Sequence, residues 1–473
     1  MSMHQEPQIN PSLENMMEAC AAAGHPERAF SIIQITGTNG KTSTSRLCEQ
    51  LCLAEGIKTG LYTSPSLVSE CERIRVGGHD ISQTGLDAAL AAARAAAARV
   101  GLTLTAFEEM TLAMFMHFRD AGVQIAVVEV GMGGRWDATS AAAPAVAVAT
   151  AVGLDHQEFL GDTHAAIAFD KAHIIKPGAS VVLGQSIFAE HPPEIGQIFL
   201  DRAAEFGLHP RRVEADSYAI SASSPVLTEF EVQTMHGLYK NLKVAGPEYQ
   251  ASNAATAIMA VEAALGRGLD SVAVKSAIAA TRFPGRFEVV RKDPLLIFDG
   301  SHNPAAARIL AQLIDQMSES GGFGAVGDRP VIALGVLADK DAAGIIEALA
   351  PVAADFIALT PPSPRAIPEA QLRDMILGVV GKTAQAIPDD GMPAIQSTLQ
   401  RAHNGASHAR EAALNAGMPS SPVAGMDALR QVLELTGKQP LVMTGSLTLY
   451  PLLQSIQCAT NLRTVSSDMI QGA

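Results

Sequence analysis

The stretch Ile32-Ile-Gln-Ile-Thr-Gly-Thr-Asn-Gly-Lys-Thr-Ser-Thr-Ser45 passes from an apolar run through two glycines into a helix-forming segment. Strand, tight loop and helix follow one another without a break. Gly37 and Gly40 permit backbone conformations closed to other residues. A helix opening near Lys41 would turn its first N–H groups towards an anion. Lys41 adds a positive charge, and the Thr42 hydroxyl suits a magnesium ion. Gly37, Thr38, Asn39, Gly40, Lys41, Thr42 and Ser43 are therefore read as a phosphate loop. It is shorter than the usual pattern, because Ile35 stands where the longer motif has its first glycine. An ordinary strand-to-helix turn is the competing reading.

The rest of the chain places that loop in context. At 473 residues with 48% hydrophobic and 17% charged residues, the sequence predicts two well-packed domains. A formal net charge of -14 disfavours a nucleic-acid partner, which requires clustered cations. Five cysteines without a CxxC pair suit free thiols in a reducing compartment. The segment MSMHQEPQINPSLE lacks the basic start and apolar core of a signal peptide, and no long apolar run follows. A cytoplasmic protein with no membrane partner is expected.

Apolar runs at Ile32 to Thr36, Thr59 to Thr63, Ile125 to Val130 and Ala145 to Ala151 alternate with helical patterns, which predicts a parallel sheet flanked by helices. The rhythm restarts at Leu295 to Phe298, Val331 to Gly335, Asp355 to Thr360 and Pro440 to Thr444, so a domain boundary is expected at 288/289. Asn10 and Pro11 read as the start of a helix ending before Gly24. Residues 402–425 read as a surface insertion of unassigned role.

Open α/β sheets bind ligands beyond the carboxyl ends of their strands, and several chemically capable residues fall there. Glu129 closes an apolar run and is followed by Gly131-Met-Gly-Gly134; a buried glutamate calls for a cation or for loop N–H donors. Asp155-His156 and Ser64 also follow strands, and each alone reads equally as a cap or turn residue. In a helix spanning Thr163 to Lys176, Ile167, Lys171, Ile174 and Ile175 share one face, which sets an amine in an apolar stripe. Burial lowers a lysine's pKa, and a neutral amine can take up carbon dioxide as a carbamate that ligates metal. The alternative is that Lys171 snorkels to solvent or pairs with Asp170.

Taken in order, ITGTNGKTSTS, LYTSPSLVSECERIRVGG, TAFEEMT, VVEVGMGGRWDATS, LDHQEFLGDTHAAIAFDKAHIIKPG, QASNAATA, FPGRFE, FDGSHNPAA, GVLADKD and MTGSL span residues 35 to 446. In these segments the chain resembles the folylpolyglutamate synthase and dihydrofolate synthase family of the Mur ligase superfamily. The resemblance implies a P-loop ATPase domain over 1–288 with a parallel sheet, and a Rossmann-like α/β glutamate-ligase domain over 289–473. It implies ATP and magnesium, with Thr42, Ser64, Glu129, His156 and a carbamylated Lys171 around the metal. It adds Asn253, Arg286, Asp299 and His302 to the ATP site, and catalytic roles for Lys41, Lys171 and His302. Thr105, Phe107, Glu108, Trp136, Asp137 and Ala138 align with segments that in relatives touch a pterin, and an aromatic face would suit that flat heterocycle.

The implied substrates are L-glutamate and dihydropteroate or folates, joined through an acyl phosphate by a monomeric enzyme. The sequence departs from the family at Ser66, His173 and Tyr249, where relatives commonly have His, Gly and His. A cell-wall Mur ligase is the nearest rival, but such enzymes carry a preceding UDP-binding domain and only 36 residues precede Gly37 here. A non-catalytic nucleotide-binding regulator is the other; the retained Lys41, Glu129, His156 and Lys171 argue against it.

Overall fold

In the computed structural model, residues 12–386, 439–451 and 453 are described. Asn10, Pro11 and the 402–425 insertion lie outside them. The chain forms two compact units, Met1–Ser223 with Leu227–Phe283, and Ser224–Val226 with Pro284–Ala473, so the break near 283/284 falls five residues before the boundary read from sequence.

The first unit opens with α1 (Glu14–Ala22), β1 (Ser31–Thr36), α2 (Lys41–Ala54) and β2 (Thr59–Tyr62). A hairpin, β3 (Ile74–Val76) and β4 (His79–Asp80), precedes α3 (Gln83–Ala98), α4 (Ala106–Asp120) and β5 (Ile125–Glu129). Then come β6 (Val146–Ala149), α5 (Gln157–Leu160), α6 (His164–Ala172), β7 (Ser180–Leu183), α7 (Ser186–Ala189), α8 (Pro193–Ala204) and β8 (Arg211–Arg212). An antiparallel trio, β9 (Tyr218–Ser223), β10 (Leu227–Thr234) and β11 (Gly237–Ala245), leads into α9 (Tyr249–Leu265) and α10 (Ser271–Ala280).

The large sheet runs β4-β3-β2-β5-β1-β6-β7-β8, parallel except at the β2–β3 and β3–β4 pairs. Both faces are covered, which explains why its central strands read as unbroken apolar runs. Ile33 and Ile35 face the core shared with Leu47, Leu51 and the alanine-rich α9. Ile32, Ala126 and Val128 point the other way, to Phe115 and Phe118 of α4. A third core gathers Ala147, Ala149, Ile167 and Phe199. In register, Ile35 pairs with Glu129, Tyr62 with Val128 and Thr36 with Ala149, so one sheet edge brings the ends of β2, β5, β1 and β6 side by side.

The second unit contains β12 (Glu288–Lys292), β13 (Leu295–Phe298), α11 (Pro304–Glu319), β14 (Val331–Leu334), α12 (Ala342–Leu349), β15 (Asp355–Ala358), α13 (Glu369–Ala386) and β16 (Leu441–Thr444). Its sheet runs β12-β13-β16-β14-β15, with β12 antiparallel and the others parallel. Asn303 caps α11 by accepting from the Ala306 N–H at 2.9 Å, with Pro304 in the first turn.

Candidate active site

The turn after β1 is built around glycine. Gly37 has φ of +152°, and a Cβ there would stand 2.0 Å from the Thr150 hydroxyl oxygen. Gly40 has φ of +83°, and its Cβ would stand 2.8 Å from Asn253 Oδ1. Thr150, at the end of β6, explains the tightness: its hydroxyl reaches Asn39 O at 2.6 Å and Thr36 O at 3.2 Å. The Thr38 N–H donates to Ala151 O at 2.9 Å, and the Thr38 hydroxyl to Gly153 O at 3.1 Å. Helix α2 then begins at Lys41 with Gly40 as N-cap and no side chain capping it. Its leading N–H groups are thereby left to an anion. Thr150 was not singled out from sequence, and a threonine closing an apolar strand gives little to notice.

The neighbouring strand ends complete the cleft. The Thr42 hydroxyl donates to Glu129 Oε1 at 2.8 Å, and Glu129 is 1% exposed. The Thr36 hydroxyl ties the glycine turn by donating to Gly133 O at 2.5 Å. Gly37, Thr38, Lys41, Gly133, Asp155, His156 and Lys171 line one cleft, open to solvent. The Lys41 amine lies back over the loop, donating to Gly37 O at 2.7 Å. Ser64 stands two residues beyond β2, half-buried, and is not among the residues lining the cleft. His156 adopts φ of +53°, a strained conformation for a non-glycine residue that is often found at functional sites.

Lys171 is the most perturbed group facing the cleft. Its amine is buried in α6, and burial first, then the charge of Lys41, lowers its pKa to about 7; Asp170, Asp155 and Asp137 oppose the shift. A large neutral fraction therefore exists near neutral pH. The helix is shorter than the sequence reading, ending at Ala172 rather than Lys176. Its continuation is replaced by turns, and the Lys176 amine instead donates to Ala142 O at 2.7 Å.

For magnesium the donor chemistry fits in part. Thr42 and Glu129 supply adjacent hard oxygens, as that ion prefers. Among the described residues no group of three or more His, Cys, Asp or Glu gathers as a metal cluster. A carbamate on Lys171 would add a further anionic oxygen donor to that set.

Asn253 lies in the second turn of α9, not at its start, where its side chain donates to Gln250 Oε1 at 2.9 Å. Gln250 in turn reaches Ser43 at 3.4 Å. On the proposed pterin side, Thr105 and Glu108 form a capping box: Glu108 Oε2 accepts from the Thr105 N–H at 2.8 Å, and Thr105 Oγ1 accepts from the Glu108 N–H at 3.3 Å. Phe107 packs on the Gly131 backbone, where a Cβ would stand 2.5 Å from its ring. Asp137 is buried, its pKa raised by burial, and accepts from the Met132 and Thr139 N–H groups at 3.0 Å each. Ala138 is buried beside it, whereas Trp136 is 43% exposed.

In the second unit, Asp299 Oδ2 accepts from the Phe287 N–H at 2.7 Å and Oδ1 from the Ser301 N–H at 2.9 Å. Arg286 packs on Gly300, and His302 Nδ1 donates to Gly300 O at 2.9 Å.

Sequence models place these features in a known class. Residues 35–261 match the Mur ligase middle domain and residues 285–408 the Mur ligase glutamate ligase domain, which makes the chain a Mur-type ligase by architecture. The dihydrofolate synthase/folylpolyglutamate synthase of Mycobacterium tuberculosis is 35% identical over 385 residues, 76% of this chain and 77% of its own. The Escherichia coli protein of the same name is 33% identical over 365 residues, covering 77% and 81%. The chain therefore belongs to the folylpolyglutamate synthase and dihydrofolate synthase family. Among solved structures, Mycobacterium tuberculosis folylpolyglutamate synthase complexed with ADP aligns with a TM-score of 0.75 at 30% identity, covering 95% of each chain. E. coli FolC in complex with DHPP and ADP aligns with a TM-score of 0.75 at 26% identity, covering 97% of this chain and 95% of that one.

Proposed function

We propose that the chain joins L-glutamate by an amide bond to dihydropteroate, to a (tetrahydro)folate, or to both, with cleavage of ATP to ADP and phosphate. The observation that carries this reading is the convergence of Lys41, His156 and Lys171 on one cleft at the uncapped start of α2. It is supported by family membership and by relatives whose structures hold ADP and DHPP.

A carboxylate oxygen of the acceptor attacks the γ-phosphorus, and ADP departs. The amine of glutamate then attacks the acyl carbon, phosphate leaves with the carboxylate oxygen, and the amine gives up a proton. The substrates bring both nucleophiles, so the protein's task is positioning and charge stabilisation. Lys41 and the loop N–H groups of residues 39–42 hold the phosphates. A bound magnesium ion, held by Thr42, Glu129, Ser64, His156 and a carbamylated Lys171, would neutralise charge on the transferring group. The neutral Lys171 amine adds to carbon dioxide, forming an N–C bond as one C=O π bond opens and losing a proton from nitrogen, so a neutral amine becomes an anionic, carboxylate-like ligand. Thr105, Phe107, Glu108, Trp136, Asp137 and Ala138 are assigned to the pterin side, Thr105 and Glu108 through the helix start that carries Phe107. Arg286, Asp299 and His302 are assigned to nucleotide contacts by the resemblance. The enzyme acts as a cytoplasmic monomer on small molecules; among the described residues no helix is long and apolar enough to cross a membrane.

Phosphate release by the purified protein is the test. Release is expected only when ATP, L-glutamate and either dihydropteroate or tetrahydrofolate are all present. Equal release without an acceptor, or none with either one, would sink the reading.

A further inference from the structure

The glycine turn that lines the cleft continues into Arg135, which the reaction scheme leaves unused although its neighbour Trp136 is assigned to the pterin. The Arg135 guanidinium lies 4.6 Å from the centroid of the Trp136 ring and 5.9 Å from that of Phe169 on α6. Phe169 in turn meets His173 edge-on at 4.7 Å, and the His173 ring is bonded to Phe169 O at 2.7 Å. Trp136 and Phe169 are 43% and 53% exposed. With the guanidinium between them, the two rings form one exposed cluster.

The segment is held firmly. The Arg135 N–H donates to Asp170 Oδ1 at 3.2 Å, and a Cβ on Gly134 would stand 2.9 Å from Lys171 O. Arg135 is thus fixed at its backbone to the neighbour of Lys171 and at its side chain by two rings. Among the described residues no carboxylate ion-pairs with its guanidinium. An arginine oriented by stacking, with its edge donors turned to solvent, suits a carboxylate partner.

We propose that Arg135, steadied by Trp136 and Phe169, binds the α-carboxylate of an acceptor that already carries glutamate. The assignment rests on the ligase reading above. In such an acceptor the γ-carboxylate is the group activated at the phosphate loop, and the α-carboxylate stands a short aliphatic stem away. Gly133, which lines the cleft, is likewise only two residues from Arg135. Dihydropteroate has no second carboxylate, so Arg135 separates the two acceptor classes. His173 extends the row on Phe169.

The test is steady-state kinetics on the full chain with dihydropteroate and with tetrahydrofolate as acceptors. Arg135→Gln is expected to raise KM for tetrahydrofolate ~10-fold more than KM for dihydropteroate, the effect of one lost charge-assisted hydrogen bond. The loss falls in KM and not in kcat. Arg135→Lys should recover part of it, and Phe169→Ala should act in the same direction by about threefold, the loss of one cation–π contact. Both side chains are exposed, so neither truncation leaves a cavity. Equal KM changes for the two acceptors, or none, overturn the proposal. Wild-type turnover with dihydropteroate but not tetrahydrofolate overturns it and leaves the ligase reading standing, whereas turnover with neither removes both.

Discussion

The two places that hold the candidate site residues are built on opposite plans. At the carboxyl edge of the first sheet, Lys41, His156 and Lys171 face a solvent-open cleft, and burial holds the Lys171 amine at a pKa of about 7. At the end of β13, Asp299 spends both oxygens on its own chain, one of them on the N–H of Phe287, whose φ of +44° is strained for a bulky residue. The first arrangement leaves reactive groups poised for a ligand. The second uses an acid to hold a loop in shape, and a residue type alone does not distinguish the two uses.

The largest expected effect is at Lys171. Lys171→Met should lower turnover by about 10³-fold or more, as loss of a group that stabilises the transferring phosphoryl charge does. The fold should survive, because a buried amine is replaced by an apolar chain of similar length; circular dichroism and residual ATP binding check this. Retained turnover would break the contrast at its stronger end. For Asp299→Ala the order is reversed, and stability is the expected casualty. Leaving the Phe287 and Ser301 donors unpaired should cost about 3 kcal/mol, read as faster hydrogen exchange across residues 285–301. Lost turnover with exchange unchanged would show that Asp299 acts on the nucleotide and not through the loop.

The pH dependence sharpens the same point. A lysine with a folded pKa near 7 and an unfolded value of 10.5 binds fewer protons folded than unfolded between those values. Its burial penalty is therefore complete below pH 7 and is relieved as pH rises through that window. Without bicarbonate, the denaturation midpoint of the wild type should rise relative to Lys171→Met between pH 7 and pH 9. Parallel curves would place the amine in water. The smallest effect is at Thr105, whose capping box should be worth about 1 kcal/mol to α4. Thr105→Ala should lower the midpoint slightly and leave KM for the acceptor nearly unchanged.

Much of the site was legible in the sequence because strand ends, glycine turns and helix starts carry local signals. The ends of β1, β5 and β6 fell within a residue or two of expectation, and the Asn303-Pro304 pair at the start of α11 is a cap and first turn of the kind a sequence displays openly. The β9 to β11 trio has no counterpart in the sequence reading: β9 is exposed along most of its length and gives a weak pattern, whereas β10, with Phe230 and Val232 buried between Glu229, Glu231 and Gln233, carries an alternation that marks a strand. The Thr105 to Glu108 spacing is that of a capping box, a signal carried in full by the local sequence. Thr150 and Arg135 act through contacts made only when distant segments meet, and no local pattern marks them.

The central claim is that the phosphate of ATP passes to a carboxylate and not to water. Dihydropteroate or tetrahydrofolate labelled with oxygen-18 in the reacting carboxylate measures this directly, with the released phosphate analysed by mass spectrometry. One labelled oxygen should appear in each phosphate, and only when L-glutamate and acceptor are both present. Phosphate free of label, released at the same rate as amide product, would contradict the account.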